Sequence, residues 1–147
     1  MAVSIRVSRS PEDIERCVVV RRIVFVEGQG VTEREEVDGL DPECAHLLAE
    51  DEGRLVGTAR LRDGGQGKAK AERVAVLEEQ RGRGTGRALM RALEEAAREA
   101  GFREVVLAAQ VSAIPFYERL GYEAYGEPFF EARIEHRYMR LPLEPAS

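Results

Sequence analysis

The stretch QRGRGTGRALMR, Gln80 to Arg91, sets Gly82, Gly84 and Gly86 among Arg81, Arg83, Arg87 and Arg91, with no acid between them. Glycine admits positive φ and lets a ligand approach the backbone, and arginine forks onto oxyanions. Val74-Ala75-Val76 just before it reads as a buried strand, and from Thr85 onward the apolar residues recur at helical spacing. A strand, a glycine-rich turn and a helix start bring free backbone N–H groups and the positive end of a helix dipole to one point. This is a cradle for a phosphate. A Walker loop needs lysine after its last glycine, where this chain has Arg87, and the dinucleotide fingerprint GxGxxG is here GxGxG.

The elements that must hold this cradle follow from turn signals. Val3, Ile5 and Val7 alternate as in a half-buried strand. Ser10-Pro11-Glu12-Asp13 reads as a helix start, with Ser10 as N-cap, and the helix is expected to run to about Val26 with Ile14, Cys17, Val18 and Phe25 on one face. VTEREEVDGLDPE is an acidic loop with a short helical turn. Strands from Cys44 to Glu50 and from Arg54 to Leu61 flank a hairpin turn at Asp51-Glu52-Gly53. A strand from Ala71 to Leu77 enters the cradle. Leu89, Met90, Leu93, Ala96, Ala97 and Ala100 form the apolar stripe of the helix beyond it, which Gly101 stops. A strand over Glu104–Ala108, a short helix capped by Ser112, and strands near Glu123–Tyr125 and Ile134–Leu141 complete a mixed α/β domain covering residues 1–147.

Composition narrows the function classes. A formal net charge of −5 over 147 residues supplies no broad basic face for nucleic acid, so an anion site must be local. No stretch approaches the ~18 apolar residues of a membrane span. Cys17 and Cys44, with His46 and His136, lack metal-ligand spacing, so no metal is expected. A cytoplasmic protein with reduced thiols is the expectation.

Arg81-x-x-Gly84-x-Gly86 resembles the pyrophosphate signature of the GNAT family of acyl-CoA-dependent N-acetyltransferases. Glu72 to Leu77 resembles that family's central strand, and Phe116-Tyr117-Glu118-Arg119-Leu120-Gly121-Tyr122 its second signature. Arg21-x-x-Val24-Phe25, Glu36-x-Asp38-x-x-Asp41 and Phe130-Glu131-Ala132-x-Ile134-x-His136 are similar to the ElaA/YjcF-type branch, so the resemblance spans nearly the whole chain. It implies a twisted, mostly antiparallel sheet of about six or seven strands flanked by about four helices. It implies acetyl-CoA as co-substrate. The diphosphate would lie on Arg81, Gly82, Arg83, Gly84, Thr85, Gly86 and Arg87, and pantetheine along Val74, Ala75 and Val76. The Val76 N–H would face the thioester carbonyl. Tyr117 takes the position of the general acid, a phenol able to protonate a departing thiolate. Gln110 stands where many members carry an asparagine, as a weaker cofactor contact. Edge strands of this fold can pair two copies into a homodimer.

The acceptor is open: a primary amine of a small molecule or peptide, which must lose a proton before it attacks. Glu131 and His136 are the candidate bases on segments that face the acceptor in this family. Glu36, Asp38, Asp41 and Glu131 are candidates for binding it, the acids of the loop forming a negative wall for a cationic amine unless they are merely solvated. Two rival readings remain, an acyl-homoserine-lactone-synthase-like acyltransferase and a non-catalytic coenzyme A-binding regulatory module.

Overall fold

The computed structural model describes residues 3–146. Seven strands build one sheet: β1 (Ser4–Ser8), β2 (Ala45–Asp51), β3 (Arg54–Asp63), β4 (Lys68–Val76), β5 (Glu104–Gln110), β6 (Glu123–Glu131) and β7 (Ile134–Pro142). Their order is β1-β2-β3-β4-β5-β7-β6. Only β4 and β5 run parallel, and every other pair is antiparallel. The four α-helices are α1 (Pro11–Arg21), α2 (Glu33–Glu36), α3 (Thr85–Glu99) and α4 (Ile114–Arg119). This is the mixed α/β, mostly antiparallel architecture that the resemblance implied.

Ser10 caps α1 by accepting from the Asp13 N–H. The helical path does reach Glu27, but Arg22–Glu27 is a π-helical turn rather than more α-helix. The weak helix formers Val18 to Val20 stay helical because Cys17 and Val20 are buried, tertiary packing outweighing local propensity. The inward face comprises Cys17, Val20, Arg21 and Val24. Val18 and Phe25 are only partly buried. Edge strand β1 leaves Val7 half exposed, contrary to the alternation read from sequence. Glu52 and Gly53 both take positive φ, as a two-residue hairpin turn with matching twist requires.

The amphipathic α3 buries Leu89, Met90, Leu93 and Ala97 completely, in one cluster with Ala69, Val105, Leu107 and Met139 of the sheet. The short helix α4 begins one residue later than Ser112 could cap it. Ala113 is its N-cap, without a side-chain bond, after a tight turn over Val111–Ala113.

Candidate active site

The central strands part company. β4 pairs with β5 only from Lys68 to Lys70, against Glu104 to Val106, and the two then diverge. The divergence has a local cause in Arg73, a non-glycine residue at φ 54°, where β4 slips register against β3 between Thr58 and Arg60. Such a bulge bends its strand and reverses the alternation of side chains beyond it. Leu77 N–H donates to the Val56 carbonyl at 2.9 Å. Because successive strand amides point to opposite sides, the preceding amide, Val76 N–H, points away from β3 and into the gap. A cleft of about 990 Å³ runs through this opening, lined among others by Val74, Val76, Gln110, Tyr117 and His136. Ala75 turns elsewhere: it is buried opposite Thr58.

The glycine-rich turn meets the cleft at Arg81, while Arg83, Gly84 and Thr85 line a neighbouring cavity of about 470 Å³ with Gln80 and Asp51. Gly84, at φ 83°, is the N-cap of α3 and leaves the first helical amides open. A Cβ on Gly86 would stand 3.3 Å from the Phe116 ring, so any larger residue would have to push that ring away by a few tenths of an ångström. Arg83 and Arg87 are exposed and make no ion pair among the described residues. Arg81 reaches back, its Nε donating to the Val76 carbonyl at 3.1 Å. Thr85 is buried with its Oγ1 unpartnered among the described residues. Open helix amides and two free guanidiniums fit a diphosphate, whereas the Thr85 hydroxyl is sealed from solvent. Arg91 is not part of this grip: it is tied to Glu94 at 2.7 Å and to the Leu120 carbonyl.

Tyr117, on α4, packs edge-on against Phe116 and Tyr122, and burial pushes its phenol up to about 12. It therefore keeps its proton at neutral pH. The neighbouring phenol, Tyr122, is already engaged to Glu94 at 2.8 Å. His136 is buried and stacks on Phe129. Its Nδ1 lies 2.7 Å from the Ile134 carbonyl, an atom that only accepts, so Nδ1 carries the proton and Nε2 keeps the lone pair of the neutral ring. His136 pairs with Gln110 across β5 and β7. The Gln110 carboxamide is engaged by Gln29 at 2.8 Å. Glu131 is exposed at the cleft rim, next to a β6–β7 turn that Arg133 fastens to Glu35 of α2.

The expected negative wall does not exist as such. Glu36 and Asp41 are buried, and both meet the Arg21 guanidinium. Arg60, itself 1% exposed, binds Asp38, Asp41 and Glu72. Arg73 grips Asp38 and the Glu36 carbonyl, and Arg62 grips Glu72. Four guanidiniums thus offset four carboxylates, because burying either sign alone would cost several kcal/mol. Of the acids proposed for acceptor binding, Asp38 and Asp41 have their oxygens taken, and Glu36 keeps only Oε2 without a partner among the described residues.

Burial by itself would raise the Glu72 carboxyl, yet Arg62 and Arg60 bring it from 4.5 down to about 2. The same balance of burial against Arg21 and Arg60 leaves Asp41 below its ordinary value. Since the folded values lie below the unfolded ones, this stabilisation is complete above about pH 4.5 and is lost as pH falls toward 2. Burial also keeps His46 below 6.5, so protonation of the unfolded chain weakens the fold as pH falls through that value. The thermal midpoint is accordingly expected to drop steadily from about pH 7 to about pH 3, and less steeply in Glu72→Gln. A pH-independent midpoint would show that the network contributes nothing.

Three residues here escaped the sequence: Arg73, Arg60 and Arg133. Nothing in their local patterns marks a strained bulge or the partners of a guanidinium distant along the chain.

The Acetyltransferase (GNAT) family matches residues 17–122. The uncharacterised N-acetyltransferase YjcF of Bacillus subtilis (strain 168) is 37% identical over 134 residues, covering 90% of this chain and 95% of that protein. The crystal structure of an acyl-CoA N-acyltransferase from Pseudomonas aeruginosa superposes with a TM-score of 0.85 at 30% identity, covering 95% of this chain and 99% of the other. Escherichia coli ElaA shares the fold, with a TM-score of 0.83 at 24% identity over 95% of this chain and 99% of its own. No helix among the described residues is long and apolar enough to cross a membrane. A strand pair that opens beside a glycine–arginine helix start, a buried phenol at the gap and these similarities agree: the chain is an acyltransferase belonging to the GNAT acetyltransferase family, and it is YjcF-like along most of its length.

Proposed function

We propose that the protein transfers an acetyl group from acetyl-CoA to a primary amine by direct attack while both substrates are bound. What supports this reading most is the Val76 amide aimed into a gap between Tyr117 and the glycine–arginine turn. Acetyl-CoA supplies the acetyl group as a thioester, and the chain's residues do the rest. Arg83, Arg87 and the first amides of α3 hold the diphosphate. Val76 N–H donates to the carbonyl oxygen as charge collects there, a fixed dipole that needs no reorganisation. His136 Nε2, or Glu131 from the rim, accepts the proton that the incoming ammonium must shed. Tyr117 donates its proton to the departing coenzyme A sulfur. Neither Cys17 nor Cys44 is needed as an acyl carrier, and burial raises both thiols above their ordinary value, against thiolate formation.

Arg83→Ala/Arg87→Ala is expected to weaken coenzyme A binding about 10- to 100-fold, as two charge-assisted contacts are lost. Calorimetric titration with coenzyme A measures this, and unchanged affinity would remove the turn from the cofactor site. Thiol release from acetyl-CoA across an amine panel tests the transfer itself. Coenzyme A binding with no release for any amine would favour the regulatory module. Mass analysis of the product separates an N-acetyl amine from a lactone.

A further inference from the structure

Lys68 and Lys70 are the chain's two lysines among 22 basic Lys and Arg residues, and both line the cleft. Neither forms an ion pair among the described residues, even with Glu104, the register partner of Lys68. Glu72, on the same face, is already matched by Arg60 and Arg62, so the two ammonium groups face the single carboxylate of Glu104 beside Lys68, and positive charge stays in excess there. Strand register fixes their orientation. Lys70 stands beside Val106 on β5, Val106 shares its face with Ala108 and Gln110, and these lie opposite Arg140, Tyr138 and His136 of β7. One trough therefore has His136 at one end, Ala108 and the Tyr138 ring along its floor, and the two ammonium groups at the other.

Two uses of these lysines can be told apart by distance. From the level of Val106 to that of Gln110 is four residues of regular strand, about 13 Å at 3.3 Å per residue. A four-carbon stem does not span that, so Lys70 is no acetyl acceptor within its own cleft, and Lys68 lies farther still. What remains is the far end of a bound acceptor. We propose that Lys68 and Lys70 form an anion-binding subsite, and that the acceptor is a primary amine carrying a carboxylate or phosphate at the far end of an apolar spacer. This rests on the acetyltransferase reading and reverses the cationic acceptor suggested by the acidic loop. A polyamine would set its second ammonium against two lysines.

The test uses ω-aminocarboxylates and ω-aminoalkyl phosphates of graded chain length, with n-alkylamines and α,ω-diamines of matching lengths. Each is titrated calorimetrically into the full chain saturated with coenzyme A, where no acetyl group can move. Both anionic series are expected to bind at least about tenfold more tightly than the alkylamines, with a length optimum, and the diamines more weakly than either. Lys68→Gln/Lys70→Gln, which keeps polar stems without charge, should erase that preference while coenzyme A affinity stays within about twofold. A preference for carboxylate over phosphate, or the reverse, identifies which anion is read. Equal binding of charged and uncharged series, tighter diamines, a preference that survives in the double variant, or no binding by any probe would overturn the subsite. Failure of wild-type protein to bind coenzyme A would instead overturn the acetyltransferase reading.

Discussion

Tyr117→Phe is expected to lower kcat about 10²- to 10⁴-fold, the range of a positioned general acid. The substitution removes one oxygen that makes no hydrogen bond among the described side chains, while the ring keeps its edge-on contacts with Phe116 and Tyr122. Stability and coenzyme A affinity should therefore hardly change, which separates a chemical role from a packing one. Because burial holds the phenol near 12, loss of its proton cannot produce a basic limb in the rate profile near neutral pH. Thiol-release kinetics with a thermal midpoint as control would decide it, and full turnover in the variant would strip Tyr117 of the acid role.

Arg60→Met should destabilise the fold by about 3–5 kcal/mol, the cost of leaving buried charges without their partner. That is a large share of the ~5–15 kcal/mol by which domains are stable. Asp38, Asp41 and Glu72 all converge on this one guanidinium, so Arg60→Lys, a point charge without the fork, should recover only part of the loss. Urea unfolding at neutral pH gives the difference. A change below about 1 kcal/mol in both variants would mean that the remaining arginines take over the carboxylates.

The glycine-rich turn, the hairpin at Glu52-Gly53 and the stripe of α3 were legible because their physics is local. Glycine at 82 and 84 sets dihedral freedom, and the spacing of Leu89, Met90, Leu93 and Ala97 sets a helix face. The π-helical turn after Arg21, the cap at Ala113 and the exposure of Val7 were misread for the complementary reason. Packing decided them, and packing involves residues far along the chain.

The amino-acid sequence by itself determined the fold class, the glycine–arginine turn before a helix start, and the phenol in the second signature. Each depends on residue types within a few positions of one another. Only the tertiary structure decided the gap at Arg73, the aim of the Val76 amide, and the pairing of the loop acids with guanidiniums. Glu36, Asp38 and Asp41 read as a negative wall until folding brought Arg21, Arg60 and Arg73 against them, the last from 35 residues beyond Asp38. Electrostatic sign depends on which charges are neighbours in space, and neighbours in space are what a folded sheet creates.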